Sequence, residues 1–432
     1  MLIVAIVLAL CVALGKAKTG YTFTFWGSVL GIGLICGILL GDVPTALLIS
    51  AEIQAVYLGF TQSGGVIASD SVIATAITVP IVMNTGLAPE AGLALAIPVG
   101  ALAANLNTFV YILNGFLYRD ALKRADKGDA RGITLDATLW AVLIRAFVFG
   151  SVVFIGVYFG SSAVQAILDV IPEWLVQGFT VAGGVLPILG FALVVHSINR
   201  SDYIPYFIIG FFVYQYLKLP TMGLAIITVC LVLVKFFMQG DVDLSMLKAP
   251  EGAEKKSHIL TRRDVTRLYF RWWWFVEVAH NYEGMQALSF CNAFIPVFKK
   301  LYPEKEEFTA ALQRHIGYFN TNGTWGTALH GIVMAMEEEQ AMTHAMDPEE
   351  FESTVNGLKA GLMGPLAGMG DTIDWGTWNK IFISIGLGYA AVGSAAGVIF
   401  SHLGFMAVTL ADRKSTRLNS SHNVASRMPS SA

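Results

Sequence analysis

Between Gly361 and Thr377 the chain reads GLMGPLAGMGDTIDWGT, which places two carboxylates, Asp371 and Asp374, in an otherwise apolar stretch. A carboxylate at hydrocarbon depth is costly unless it faces water, a ligand or a partner group, so these acids mark a polar site. Gly361, Gly364, Gly368, Gly370 and Gly376 weaken a helix here and Pro365 interrupts it. The segment predicts a broken element lining a polar cavity. Other hydrogen-bonding side chains stand in apolar surroundings: Glu52, Gln54, Gln62, Asp70, Asn105 and Asn107 early in the chain, and Asn281, Glu283 and Gln286 in the run NYEGMQ. Such carboxylates and amides bind small polar solutes through short-range hydrogen bonds. Each can equally close an interhelical hydrogen bond and bind nothing. On one helix Asn281 and Glu283 would diverge by about 200°, whereas Glu283 and Gln286 would share a face.

Other chemistries find no footing. There is no GxxxxGK[ST], HExxH or GxSxG signature, and Gly31-Ile32-Gly33 lacks the third glycine and the strand of a dinucleotide site. His196, His280, His315, His330, His344 and His402 stand apart, none beside a carboxylate in a nucleophile setting. His315 next to Arg314 reads as a solvated surface pair, with partner docking as the alternative. Glu337-Glu338-Glu339 reads as a solvated helix end. Cys11, Cys36, Cys230 and Cys291 show no CxxC spacing and read as reduced packing thiols.

The elements that must position these groups are membrane elements. Of the 432 residues 55% are hydrophobic and 14% charged, and mean hydropathy is +0.61, too little charge to solvate a globule of this size. A net charge of −3 excludes nucleic acid as a partner, because phosphate binding needs a cation excess. The apolar start, residues 1–14, reads as a retained membrane segment rather than a cleaved signal. Runs of spanning length lie at 21–41, 91–118, 139–160, 174–198 and 221–238, with 203–217 marginal. Residues 59–85 predict a re-entrant or broken element. The loop bearing Arg119, Lys123, Arg124, Lys127 and Arg131, and the polar stretch 239–271, carry the positive charge of one membrane side. From Thr261, with Asp264 at the third position, a capping-box pattern opens an amphipathic helix. That helix is expected to lie at the interface, anchored by Trp272, Trp273 and Trp274, or to pack as an ordinary helix with a solvated charged face.

GLMGPLAGMGDTIDWGT, NYEGMQALSF, Leu301-Tyr302-Pro303, Arg314-His315 and Phe319-Asn320-Thr321 recur in the order and at the spacing of the IID membrane subunit of the mannose-family sugar phosphotransferase system, which residues 260–411 resemble. Upstream, Gly41-Asp42, Asp70 closing GGVIASD, Ala96 to Pro98 and the IPEWLVQGFTVAGG run resemble the IIC subunit of the same system. The chain therefore reads as a IIC-like domain (1–238), a hydrophilic cytoplasmic linker (239–260) and a IID-like domain (261–411). Residues 412–432, with DRKSTRLNSSH, resemble a translated sequencing adapter, so the IID-like half is expected to be truncated.

The resemblance implies an all-α polytopic membrane protein with spanning, re-entrant and interfacial helices, multi-pass in the bacterial inner membrane. It implies carriage of a hexose or hexosamine, phosphorylated by a soluble IIB partner charged by IIA, with no cofactor or metal and no catalytic residue in this chain. Trimers of IIC–IID units follow from the same resemblance. Gln54, Gln62, Asp70, Asn281, Glu283, Gln286 and Asp371 are the substrate-binding candidates. His280, Gly284 and Thr372 stand where the family has Trp, Arg and Pro, and Gln62 where mannose-type subunits have Asn. An ion-coupled transporter titrating Asp70 or Asp371, and a receptor or scaffold that moves no sugar, are the alternatives.

Overall fold

The computed structural model describes residues 1–21, 25–58, 69–168, 204–217 and 259–423, and regular structure among them is helical. The expected spans 174–198 and 221–238, the linker through residue 258, and Gln62 lie outside the described residues. Short helices build the first half: α1 (Leu2–Lys16) and the capped α2 (Val29–Leu40), α3 (Val43–Tyr57) and α4 (Ser71–Thr85). Ser28 caps α2 by accepting from Gly31 N–H, and Gly41, at φ +82°, ends it in the left-handed conformation that glycine tolerates. Asp42 then caps α3 through Thr45 N–H, so Gly41-Asp42 is the turn of a hairpin. With 12 and 15 residues, α2 and α3 rise only about 18 and 22 Å, short of a full crossing. The expected span at 21–41 is thus one arm of a helical hairpin.

Among the described residues, two longer helical paths are apolar enough to cross a bilayer by length and composition. One runs over residues 92–125 inside α5 (Pro89–Ala125); the other over 130–160, joining α6 (Ala130–Leu135), a π-helical turn at Asp136–Trp140 and α7 (Ala141–Leu168). An apolar helix α8 (Ile204–Leu217) follows. Arg124 ties the end of α5 to the next helix through Asp129 and Asp136 at 3.2 and 3.0 Å, and pairs with Asp120 of α5 itself at 2.7 Å.

The second half comprises α9 (Arg262–Phe275), α10 (Ala287–Leu301), α11 (Lys305–His315), α12 (Thr327–Thr343), α13 (Pro348–Gly370), α14 (Asn379–Ala390) and α15 (Ala395–Asn423). The Asp264 carboxylate accepts from Thr261 N–H at 2.7 Å, as the capping pattern requires. The tryptophan run departs from the interfacial expectation. Trp272 is fully buried, in edge contact with Phe290 and Phe319 and donating to Gly323 O, and Trp273 is buried as well. Trp274 alone of the three is exposed. The reason is the face each ring occupies: the stripe with Leu268 and Tyr269 turns inward and becomes core.

The charged motifs of this half also turn inward, against expectation. Glu337 is fully buried, accepting from Arg314 Nε and Nη2 at 2.9 Å each, from Tyr302 Oη at 2.7 Å and from His315 Nε2 at 2.6 Å. Lys359 closes the group from α13 by donating to Arg314 O. LYP, RH and the acidic run are therefore one network locking α10, α11, α12 and α13. Burial works against the Glu337 carboxylate, but the His315 imidazole and the Arg314 guanidinium outweigh it and hold its pKa at about 2. Burial and the nearby Lys359 charge keep His315 neutral, down to about 4.

Both shifts stabilise the fold at neutral pH. The unfolded chain takes up a proton at His315 below about 6.5 that the folded chain refuses until about 4, and Glu337 acts likewise from its ordinary range down to about 2. Melting temperature in detergent should fall as pH is lowered from about 6.5 to 4. Glu337→Ala, which leaves Arg314 and Lys359 buried without an acid, should cost about 3–5 kcal/mol. A flat profile together with an unshifted mutant would contradict the network.

Candidate functional site

Between α9 and α10 the chain makes a tight loop. Asn281 and Met285 exchange backbone hydrogen bonds, and the Asn281 side chain accepts from Glu283 N–H and Gly284 N–H at 3.1 and 2.8 Å. Asn281 Nδ2 donates to Ala279 O. NYEGMQ is thus a turn built by Asn281 and not a helix, so the shared face expected for Glu283 and Gln286 does not form. Glu283 points outward to Arg119 of α5, through Nε at 3.1 Å and Nη2 at 2.5 Å. Gln286 points inward. Gly284 has to be small, because a Cβ there would lie 2.5 Å from the Tyr118 ring.

The first half holds this loop from within its two long helices. Arg145 of α7, fully buried, donates to Val278 O at 2.7 Å and Glu277 O at 3.0 Å. Asn114 of α5 donates to Val278 O and His280 O at 3.3 and 2.9 Å. His280 stacks on Tyr111 at 4.9 Å, so an aromatic contact persists where the family carries Trp. The Glu277 side chain gathers the remaining donors: Lys18 Nζ at 3.3 Å, Gln286 Nε2 at 2.8 Å and, at 3.2 Å, His280 Nδ1.

Two further groups continue the seam. Asp70 is buried as the N-cap of α4, accepting from Ile73 N–H, and its Oδ2 accepts from Asn107 Nδ2 at 3.2 Å and pairs with Lys16. On the other side Gln286 Oε1 accepts from Thr321 N–H at 2.9 Å, and the neighbouring Asn322 donates through Nδ2 to Asp371 at 3.0 Å. Gly370 lets that loop approach, since a Cβ there would meet the Asn322 side chain at 2.4 Å. Trp325 Nε1 reaches Asp374, and Trp375 Nε1 donates to Tyr21 Oη at 2.8 Å.

The segment from Gly361 is not broken. From α13 it passes through a π-helical stretch, Asp371–Trp378, directly into α14. Gly361, Gly364, Pro365, Gly368 and Gly370 are carried within α13, and Gly376 falls in the π stretch; π turns recur at functional sites. Thr372, where the family has Pro, donates its hydroxyl to Gly368 O. Asp371 remains exposed while Asp374 is buried.

Of the sequence-predicted residues, the structure brings Gln286 and Asp371 onto the same 321–322 loop and puts Asp70 in a buried, paired position. Gln54 is buried on α3, Asn281 serves the turn, and Glu283 sits at an exposed edge. Asn105 of α5 is exposed and bonds its own helix. Sequence reasoning missed Lys16, Lys18, Arg145, Glu277 and Asn322. Arg145 alone carried a signal, as a lone cation within an apolar run of spanning length.

These features define an all-helical integral membrane protein whose two dissimilar halves meet over one polar seam. Residues 2–234 match the family profile described as PTS system sorbose-specific IIC component, and residues 259–417 that described as PTS system mannose/fructose/sorbose family IID component. The chain belongs to this mannose/fructose/sorbose family of the phosphotransferase system, with IIC-type and IID-type parts fused in one polypeptide. It is 39% identical over 161 residues to the mannose-specific EIID component of Escherichia coli K12, covering 37% of this chain and 54% of the relative. Identity to the N-acetylgalactosamine permease IIC component 1 of the same organism is 30% over 189 residues, covering 44% and 70%. Against its mannose-specific EIIC component it is 29% over 227 residues, covering 52% and 84%. The chain spans about half the length of the curated EIID relatives. A solved structure of the mannose transporter ManYZ with microcin E492 aligns at 33% identity and a TM-score of 0.38, over 41% of this chain and 64% of that one.

Glu277→Ala, which strands the Lys18 ammonium in the seam, should destabilise the protein by about 3 kcal/mol. Glu283→Ala removes only the exposed pair with Arg119 and should cost at most about 1 kcal/mol. Melting of the two variants in detergent checks the ranking, and equal shifts would contradict the partners assigned to Glu277.

Proposed function

We propose that this chain is the sugar-translocating membrane component of a phosphoenolpyruvate-dependent phosphotransferase system. It carries a hexose or hexosamine across the bacterial inner membrane as a multi-pass protein. A soluble IIB partner, charged by IIA, phosphorylates the sugar, and the phosphoryl chemistry stays with that partner. Trimers of the fused unit, the division into domains at 239–260, and Gln54, Gln62, Asp70, Asn281, Glu283, Gln286 and Asp371 as sugar contacts belong to the same reading.

The observation that carries it is the meeting of IIC-type and IID-type parts over a chain of polar groups. Asn107, Asp70 and Lys16 lead to Lys18, Glu277 and Gln286, and on through Thr321 to Asn322 and Asp371. Hydroxyl-rich solutes need such alternating donors and acceptors, and polar groups at membrane depth mark solute pathways. His315 and His330, both buried and bonded within the fold, offer no exposed nucleophile for phosphate.

Everted or right-side-out vesicles holding the full chain should take up labelled sugar only when phosphoenolpyruvate and the soluble phosphocarriers are supplied. Asp70→Asn and Asp371→Asn should insert yet take up far less. Uptake that runs unchanged without the carriers, and collapses with the proton gradient, would replace this reading by an ion-coupled one.

A further inference from the structure

The outward face of α9 is as ordered as its buried one. Arg263, Arg267, Phe270 and Trp274 are all exposed. At about 100° per residue they fall within about 60° of one another, a single stripe along the helix. Leu268, Tyr269, Trp272 and Trp273 are buried on the opposite face. The stripe is also sorted by chemistry: its first two members are cations and its last two are aromatic.

Contacts with the first half set the depth of each level of this helix. Arg271 Nη2 donates at 2.9 Å to Thr134 Oγ1 of α6, near the start of the membrane-length path 130–160 and close in sequence to the loop bearing Lys123, Lys127 and Arg131. Just past α9, the Glu277 and Val278 carbonyls meet Arg145, which lies roughly 16 Å further along that path. The helix therefore enters from the charged side of the membrane. Arg263 and Arg267 stand above the level of Thr134, Phe270 stands at it, and Trp274 lies below it.

Cations above aromatics on one outward stripe match the layers of a bilayer surface, where guanidinium groups meet phosphates and indole rings sit at the edge of the hydrocarbon. An anion also suits the helix itself. Arg263, Arg267 and Arg271 repeat at four-residue spacing, and like charges so placed repel. Asp264, the acid of the first turn, is engaged by Thr261 N–H and Lys300 Nζ. A phosphodiester seated between Arg263 and Arg267 accepts from both forks and offsets that repulsion.

We propose that the Arg263–Arg267–Phe270–Trp274 stripe is a docking site for anionic phospholipid, the two arginines holding the headgroup phosphate and the two rings lying against its glycerol and upper acyl chain. This goes beyond the transport reading and does not depend on it; it rests on the place of the chain in a bilayer.

The test uses the full chain in nanodiscs doped with brominated phosphatidylglycerol or brominated phosphatidylcholine, which quench nearby indoles. The signal of Trp274 is the difference between the wild type and Trp274→Phe. Brominated phosphatidylglycerol should quench it at a lower mole fraction than brominated phosphatidylcholine does. Arg263→Gln combined with Arg267→Gln should reduce that preference about 10- to 30-fold while quenching by phosphatidylcholine persists, and the paired Arg→Lys variant should keep most of it. Equal quenching of the wild type by both lipids, or a preference that survives the paired Gln variant, would overturn the assignment. A preference erased by inorganic phosphate at constant ionic strength would make the site one for free phosphate and overturn it too. If neither lipid quenches Trp274, the stripe faces cytosol or another protein and the proposal fails.

Discussion

The placement of Glu277 is the constraint on which the rest of the structure depends. Its carboxylate collects Lys18, Gln286 and His280, while its own carbonyl and that of Val278 accept from Arg145. Backbone carbonyls in a loop at this depth have no helix to satisfy them, and an orphaned polar group in an apolar interior is expensive. Arg145 and Asn114, projecting from the two membrane-length helices of the first half, supply the missing donors. Each half thereby completes the hydrogen bonding of the other.

Once that loop is fixed, the remaining polar groups fall into place by short steps. Gln286 begins α10 and reaches back to Glu277, which sets the loop at Thr321 and Asn322; Asn322 in turn touches Asp371 across Gly370. The aromatic interior of the second half, with Trp272, Phe290 and Phe319 in mutual contact, and the Glu337 network behind it give this loop a rigid floor. Rigid support is what a binding site needs when its contacts are short and directional.

Much of this was legible in the chain because the signals were local. Asp264 closing on Thr261, the long apolar runs at 91–118 and 139–160, and polar residues at Asp70, Gln286 and Asp371 all follow from short-range rules. What escaped was non-local. Whether Glu337 faces water or Arg314 depends on a helix 23 residues away, and a run of three glutamates carries no mark of which one turns inward. The turn at Asn281 is not legible, because the positive φ of Met285, which closes it, leaves no trace in a non-glycine residue. Glycine and proline near Asp371 suggest a break, whereas α13 carries Pro365 and the glycines up to Gly370 and a π-helical stretch continues from Asp371. Lys16 and Lys18 follow the apolar start directly, and only the fold sets Asp70 and Glu277 against them.

A double-mutant cycle on Lys18 and Glu277, read as unfolding free energy of the full chain in a fixed detergent, tests the joint between the halves most directly. Lys18→Ala, Glu277→Ala and the double variant should show a coupling of about 1 kcal/mol or more, the double variant being less destabilised than the sum. Additivity within about 0.3 kcal/mol would mean that the two side chains do not meet, and would contradict the seam described above.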